Sequence, residues 1–107
     1  MIRMAQFDVY PNPSNSATHG IPFVVVIQSD LLDALATRLT MPLATCEWTG
    51  KAPEKLSPTI TVQGQRLRAL AHFAAPLPSH ALRQPIGNIS AQSGALVAAM
   101  DVVLSGV

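Results

Sequence analysis

Thr59-Ile60-Thr61-Val62-Gln63-Gly64-Gln65-Arg66-Leu67-Arg68-Ala69-Leu70 is the stretch on which the fold class turns. Residues 59–62 and 65–70 each alternate apolar with polar side chains, and only Gln63-Gly64 separates them. A period of two residues belongs to a strand with one buried face. Two residues between such runs favour a tight hairpin with positive φ, which Gly64 adopts at little cost. Ile60, Val62, Leu67 and Ala69 are expected to face inward, and Arg66 and Arg68 to stand in water.

Working outward, the preceding segments are also β-like. Residues 4–10 alternate, with Ala5, Phe7 and Val9 on one side and Gln6, Asp8 and Tyr10 on the other, the pattern of a half-buried strand. Turn-forming residues fill 11–20, including Pro11, Asn12, Pro13 and Gly20. Phe23 to Ile27 is a continuous, largely β-branched run, as in a strand covered on both faces. Ser29 and Asp30 resemble helix caps, yet Leu39, Met41 and Leu43 alternate with Arg38, Thr40 and Pro42. We read 29–36 as a turn with at most one helical turn, and 37–45 as a strand with Pro42 outward or at an edge. Residues 46–57 read as a loop, and 74–88, with Pro76, Pro78, Pro85 and Gly87, as irregular or edge strand.

The last segment changes period. Leu96, Met100, Val103 and Leu104 fall at i, i+4, i+7 and i+8, one stripe of a helix that Ser90 is placed to cap. Gly106 sits where a left-handed residue ends such a helix. The expectation is a mainly β single domain over 1–107 with one C-terminal helix.

Composition narrows the function. The 107 residues are 49% apolar and only 12% charged. A domain of this size buries about two-thirds of its unfolded surface, so part of that apolar surplus is expected outside, as a partner interface. The net charge is +1 with no basic run, which argues against direct nucleic-acid binding. No charge-free stretch is also apolar over the ~18 residues of a membrane span, and the N-terminus lacks a signal-peptide core, so a cytoplasmic location is expected. Cys46 is alone, and His19, His72 and His80 have no metal-ligand spacing; no metal or cofactor is expected. Cys46 reads as a small apolar filler and Trp48 as a residue packed over the edge of the β structure.

Gln28-Ser29-Asp30-Leu31-Leu32-Asp33 resembles an element of the CcdB family that directly follows its second strand. Gln6-Phe7-Asp8-Val9-Tyr10 is similar to the family's first strand, and Arg38-Leu39-Thr40-Met41-Pro42-Leu43-Ala44 to its third. Pro58-Thr59-Ile60-Thr61-Val62 is similar to the strand that opens the central hairpin. Met100-Asp101-Val102-Val103-Leu104-Ser105-Gly106-Val107 matches the family's helix end.

The resemblance implies an SH3-like small β-barrel, of the CcdB/MazF type, that forms a homodimer. It implies a non-enzymatic toxin that traps DNA gyrase in its cleaved-DNA state and is neutralised by a cognate, CcdA-like antitoxin. Carried across by position, the surface for the gyrase A subunit is Ser29, Leu31, Leu32, Asp101, Leu104, Ser105, Gly106 and Val107. Met100 and Val103 are candidates for the dimer interface, and Arg66 and Arg68 for an acidic antitoxin segment. Two positions depart from the pattern: Asp101 stands where an uncharged amide is expected, and Ser105 where a well-known form has an aromatic ring. Two alternatives share the barrel, an endoribonuclease of the MazF type and a weakly toxic or inactive interaction protein. The first requires an acid–base pair and an Arg beside a scissile phosphate, for which no strand-end motif is found.

Overall fold

The computed structural model describes residues 4–106. Seven strands, β1 (Asp8–Pro11), β2 (Phe23–Val26), β3 (Thr37–Ala44), β4 (Thr59–Val62), β5 (Gln65–Ala69), β6 (Ala75–Pro78) and β7 (Gly87–Asn88), precede one helix, α1 (Ser93–Ser105). All pairings are antiparallel, in the order β4-β5-β3-β2-β1-β7, with β6 against β3.

The central hairpin forms in the expected register, with Ile60 opposite Leu67 and Val62 opposite Gln65. Gln63 and Gly64 take φ of 50° and 81°, both positive as a twist-matched two-residue turn needs. Side chains bring the ends of the sheet together. The Gln92 amide accepts the Thr61 N–H at 2.9 Å and donates to the Thr61 carbonyl at 2.7 Å, pairing the outer edge of β4. Gln63 donates to the Ile86 carbonyl just before β7. The result is a nearly closed barrel, and the prolines of β6 withhold donors from the remaining edge.

The barrel interior holds Val9, Val25, Met41, Leu43, Ile60 and Leu67, capped by Leu96 and Ala99 of α1. A second apolar layer, Tyr10, Val24, Val26 and Leu82 with Met4 and Leu77, covers the opposite face of β1 and β2. β2 is therefore enclosed on both sides, as its composition predicts.

Several local expectations are corrected. β1 is buried on both faces rather than one, because Leu82, with Met4 and Leu77, packs in the layer that covers Tyr10; it begins only at Asp8, since Phe7 turns at φ 70°. β3 is interior, and Pro42 sits at no edge. On its second side β3 pairs with β6 through residues 37–40 and with β5 through 43–44. Pro42 falls at that changeover, its carbonyl accepting the Leu70 N–H, so its missing donor breaks no ladder. Ser90 does not cap α1: a 3-10 turn over Ser90–Gln92 intervenes, and Gln92 precedes the helix without a side-chain capping bond. The buried stripe is Leu96 and Ala99 with Met100 half-buried, whereas Val103 and Leu104 are exposed. The final turn of the helix keeps Val102 half-buried and leaves Val103, Leu104 and Ser105 in water.

Candidate functional site

Three leucines on the 29–36 segment face solvent. Leu31 is 93% exposed, and Leu32 and Leu35 are about half exposed. Ser29, Asp30 and Leu32 start the turn: the Ser29 hydroxyl accepts the Leu31 N–H at 3.2 Å, and the Leu32 N–H reaches the Ser29 carbonyl at 3.0 Å. This is the single helical turn expected from the sequence.

Polar side chains rooted in the barrel hold the segment from behind. The Asp30 carboxylate accepts the Gln6 N–H at 2.7 Å. The Gln28 amide donates to the carbonyls of Leu32 and Thr37, at 3.2 Å each, and accepts the Leu39 N–H at 3.0 Å. Arg38 is only 8% exposed, and its guanidinium donates to the carbonyls of Asp33, Leu35 and Thr37.

The helix end supplies the second apolar group. Leu104 is 80% exposed, and Val103, Ser105 and Gly106 are exposed beside it. Gly106 takes φ 77° and returns its N–H to the Val102 carbonyl at 2.8 Å, the left-handed stop predicted for it. The Ser105 hydroxyl bonds back to the Asp101 carbonyl at 2.6 Å. Val107, the last of the predicted contacts, lies outside the described residues.

An open cleft of about 220 Å³ lies between the barrel and α1. Phe7, Ile27 and Leu39 form one wall; Leu96, Val97, Met100 and Asp101 form the other. Ile27 and Leu39 are the residues from which the leucine segment springs, and their backbones are bonded, Ile27 N–H to Leu39 carbonyl, at 3.0 Å. Met100 and Asp101 thus share a cleft with the root of that segment, and Asp101 is the one carboxylate among its lining residues. Sequence reasoning missed Leu35, Val97 and Phe7. Val97 was detectable as an apolar residue one step off the helix stripe; Phe7 became a cleft wall only through its positive φ.

Arg66 and Arg68 lie on a different surface, a groove of about 230 Å³ with Thr45, Cys46 and Thr59. Arg66 is exposed, as expected. Arg68 is not simply solvated: it is half-buried and donates to the Ala52 carbonyl at 3.0 Å and to the Ser57 hydroxyl. It ties the 46–57 loop to β5. Cys46 is exposed rather than a filler. Trp48 is half-buried and meets Phe73 edge-on, centroids 6.1 Å apart, and His72 stacks on Phe73 at 4.2 Å.

On the back layer, Tyr10 is 1% exposed and its hydroxyl approaches the Asp8 carboxylate at 3.5 Å. Burial, then the Asp8 charge and contact, push the Tyr10 pKa up to about 12, with Arg38 opposing. Among the described residues no group of three or more His, Cys, Asp or Glu is placed to hold a metal ion. No helix among them is long and apolar enough to cross a membrane.

A small, nearly closed barrel that keeps Leu31 and Leu104 in water has the kind of exposed apolar surface that marks protein interfaces. A family model described as CcdB protein matches residues 6–106, and the chain belongs to that family. The family is one of toxins from toxin–antitoxin systems. No curated protein matches the chain.

Proposed function

We propose that the protein is the toxin of a type II toxin–antitoxin pair, acting in the cytoplasm without catalysis by poisoning DNA gyrase. Its gyrase-facing surface is Ser29, Leu31 and Leu32 together with Asp101, Leu104, Ser105, Gly106 and Val107. The observation that carries this reading is the exposure of Leu31 and Leu104 on ordered segments, in a chain of this family. Apolar side chains kept in water on ordered segments are typical of a protein interface.

The mechanism needs no reacting group. The narrow Gly106-Val107 segment, directed by a helix, loses little freedom when it enters a cleft between gyrase subunits. Two copies related by a two-fold axis, meeting through Met100 and Val103, present it twice to a two-fold target. The toxin stalls the enzyme by binding its open, DNA-cleaved form more tightly than the resealed one, because a ligand shifts an equilibrium only by its differential affinity. Ser105 offers far less contact area than an aromatic ring, and its hydroxyl is turned back on the helix, so Leu104 carries the apolar contact at this end. A CcdA-like antitoxin with an acidic segment engages Arg66 and Arg68, and the toxin–antitoxin complex regulates its own transcription.

A gyrase cleavage assay tests this. Full-length protein is expected to accumulate cleaved DNA, and protein lacking Gly106 and Val107 is expected to accumulate none while melting normally. Equal accumulation by the truncated chain would overturn the wedge.

A further inference from the structure

We infer that Arg38 and Gln28 are positioning residues for the docking surface, holding Leu31, Leu32 and Leu35 in a binding-ready shape from the barrel side. The inference rests on the gyrase-binding reading for its consequence, though not for its geometry.

Unaided, the 29–36 backbone makes few bonds of its own: Leu32 to Ser29, Asp33 to Asp30 and Leu35 to Leu32, each spanning three residues. Such short-range bonds on an exposed segment with three leucines in water do not fix a shape; ordering each residue costs about 1–2 kcal/mol. Beyond the Asp30–Gln6 and Ala36–Ser79 bonds, fixation comes from two side chains, Arg38 and Gln28. The guanidinium of Arg38 collects the carbonyls of Asp33, Leu35 and Thr37. The amide of Gln28 spans Leu32, Thr37 and Leu39, using its donor and its acceptor together.

The placement of Arg38 is informative because burying a guanidinium is costly. At 8% exposure it lies by the second apolar layer, close enough to act on Tyr10. A fold that needed only to close the chain between β2 and β3 has cheaper means, a short polar turn. Spending a buried cation on the carbonyls of a segment whose leucines face water makes sense if that segment must be rigid before it meets a partner. A surface ordered in advance loses less entropy on binding.

The test uses the full chain and the variants Gln28→Met, Arg38→Met and Arg38→Lys, with Leu32→Ala as the direct-contact reference. Amide exchange over residues 31–37 is expected to quicken roughly tenfold in Gln28→Met and Arg38→Met, with β2, β4 and β5 unchanged. Affinity for a gyrase A fragment is expected to fall about tenfold in both. Arg38→Lys, which keeps the charge but not the three-way fork, is expected to recover part of each loss. Unchanged exchange in the folded variants overturns the inference, as does faster exchange with full affinity where Leu32→Ala weakens binding. Should Arg38→Met fail to fold, Gln28→Met decides alone. If the unaltered protein does not bind gyrase, the functional reading falls, and exchange over 31–37 still decides whether these side chains hold the segment.

Discussion

The leucine segment at 29–36 and the helix end at 101–106 both place leucine in water, and they are held by opposite means. The segment depends on side chains from elsewhere in the fold, Gln28, Arg38 and the Asp30–Gln6 contact. The helix end depends on its own backbone ladder, the left-handed Gly106 and one Ser105 hydroxyl bond. Substitutions behind the sheet are therefore felt by the segment, whereas the tail responds to whatever anchors or ends the helix. Leu96 is the anchor. It is 1% exposed inside the barrel, two helical turns before Leu104. Leu96→Ala is expected to cost about 2–5 kcal/mol in urea unfolding, the range for a leucine deleted from a packed core. Leu104→Ala is expected to stay within about 0.5 kcal/mol, as for a surface position. A cost above about 1 kcal/mol at Leu104 would mean that the tail packs on its own barrel, and the contrast would disappear.

The layer behind the leucine segment can be probed by pH. Tyr10 has its pKa raised to about 12 in the folded chain, against about 10 unfolded. Below pH 10 both states hold the proton, and the stabilisation is complete. Between pH 10 and 12 the unfolded chain releases it while the folded one retains it, so stability falls as pH rises through that window. The loss specific to Tyr10 is on the order of 2 kcal/mol. Tyr10→Phe is expected to remove that share of the alkaline decline and leave the decline from other groups. Identical alkaline profiles for both proteins would show that the hydroxyl is solvated and the back layer open.

The barrel was legible because its signals are local and repeated. The 59–70 hairpin carries its period, its turn and its inward residues within twelve positions, and all agree with the structure. The Phe23–Val26 strand announces its double burial by composition alone. What could not be read depends on neighbours distant in sequence. Nothing near Tyr10 tells that Leu82 will cover it, and Pro42 looks like an edge residue until β5 and β6 divide one side of β3 between them. The helix stripe was read one turn too far because periodicity does not reveal where the barrel ends beneath it. At the candidate site, Leu31, Leu32 and the tail were picked out by family likeness. Arg38 and Gln28 escaped because their part lies in carbonyls they reach up to nine residues away.

The smallest expected effect concerns the direction of the tail. At φ 77°, Gly106 holds a conformation that costs an L-residue about 1–2 kcal/mol, and among the described residues, its chain neighbours and helix backbone aside, no atom lies within 4 Å of an added methyl. Space is therefore not the obstacle in Gly106→Ala; backbone conformation is. The barrel does not rest on this residue, so Tm is expected to stay put. The bond from the residue 106 N–H to the Val102 carbonyl should weaken instead, with faster exchange of that amide and weaker gyrase poisoning. A d-alanine at the same position, introduced by semisynthesis, has the methyl but accepts positive φ. It is expected to restore both slow exchange and poisoning. If both enantiomers poison gyrase equally well, the tail is not aimed by its helix stop, and the ordering assigned to the helix end belongs to the partner that receives it.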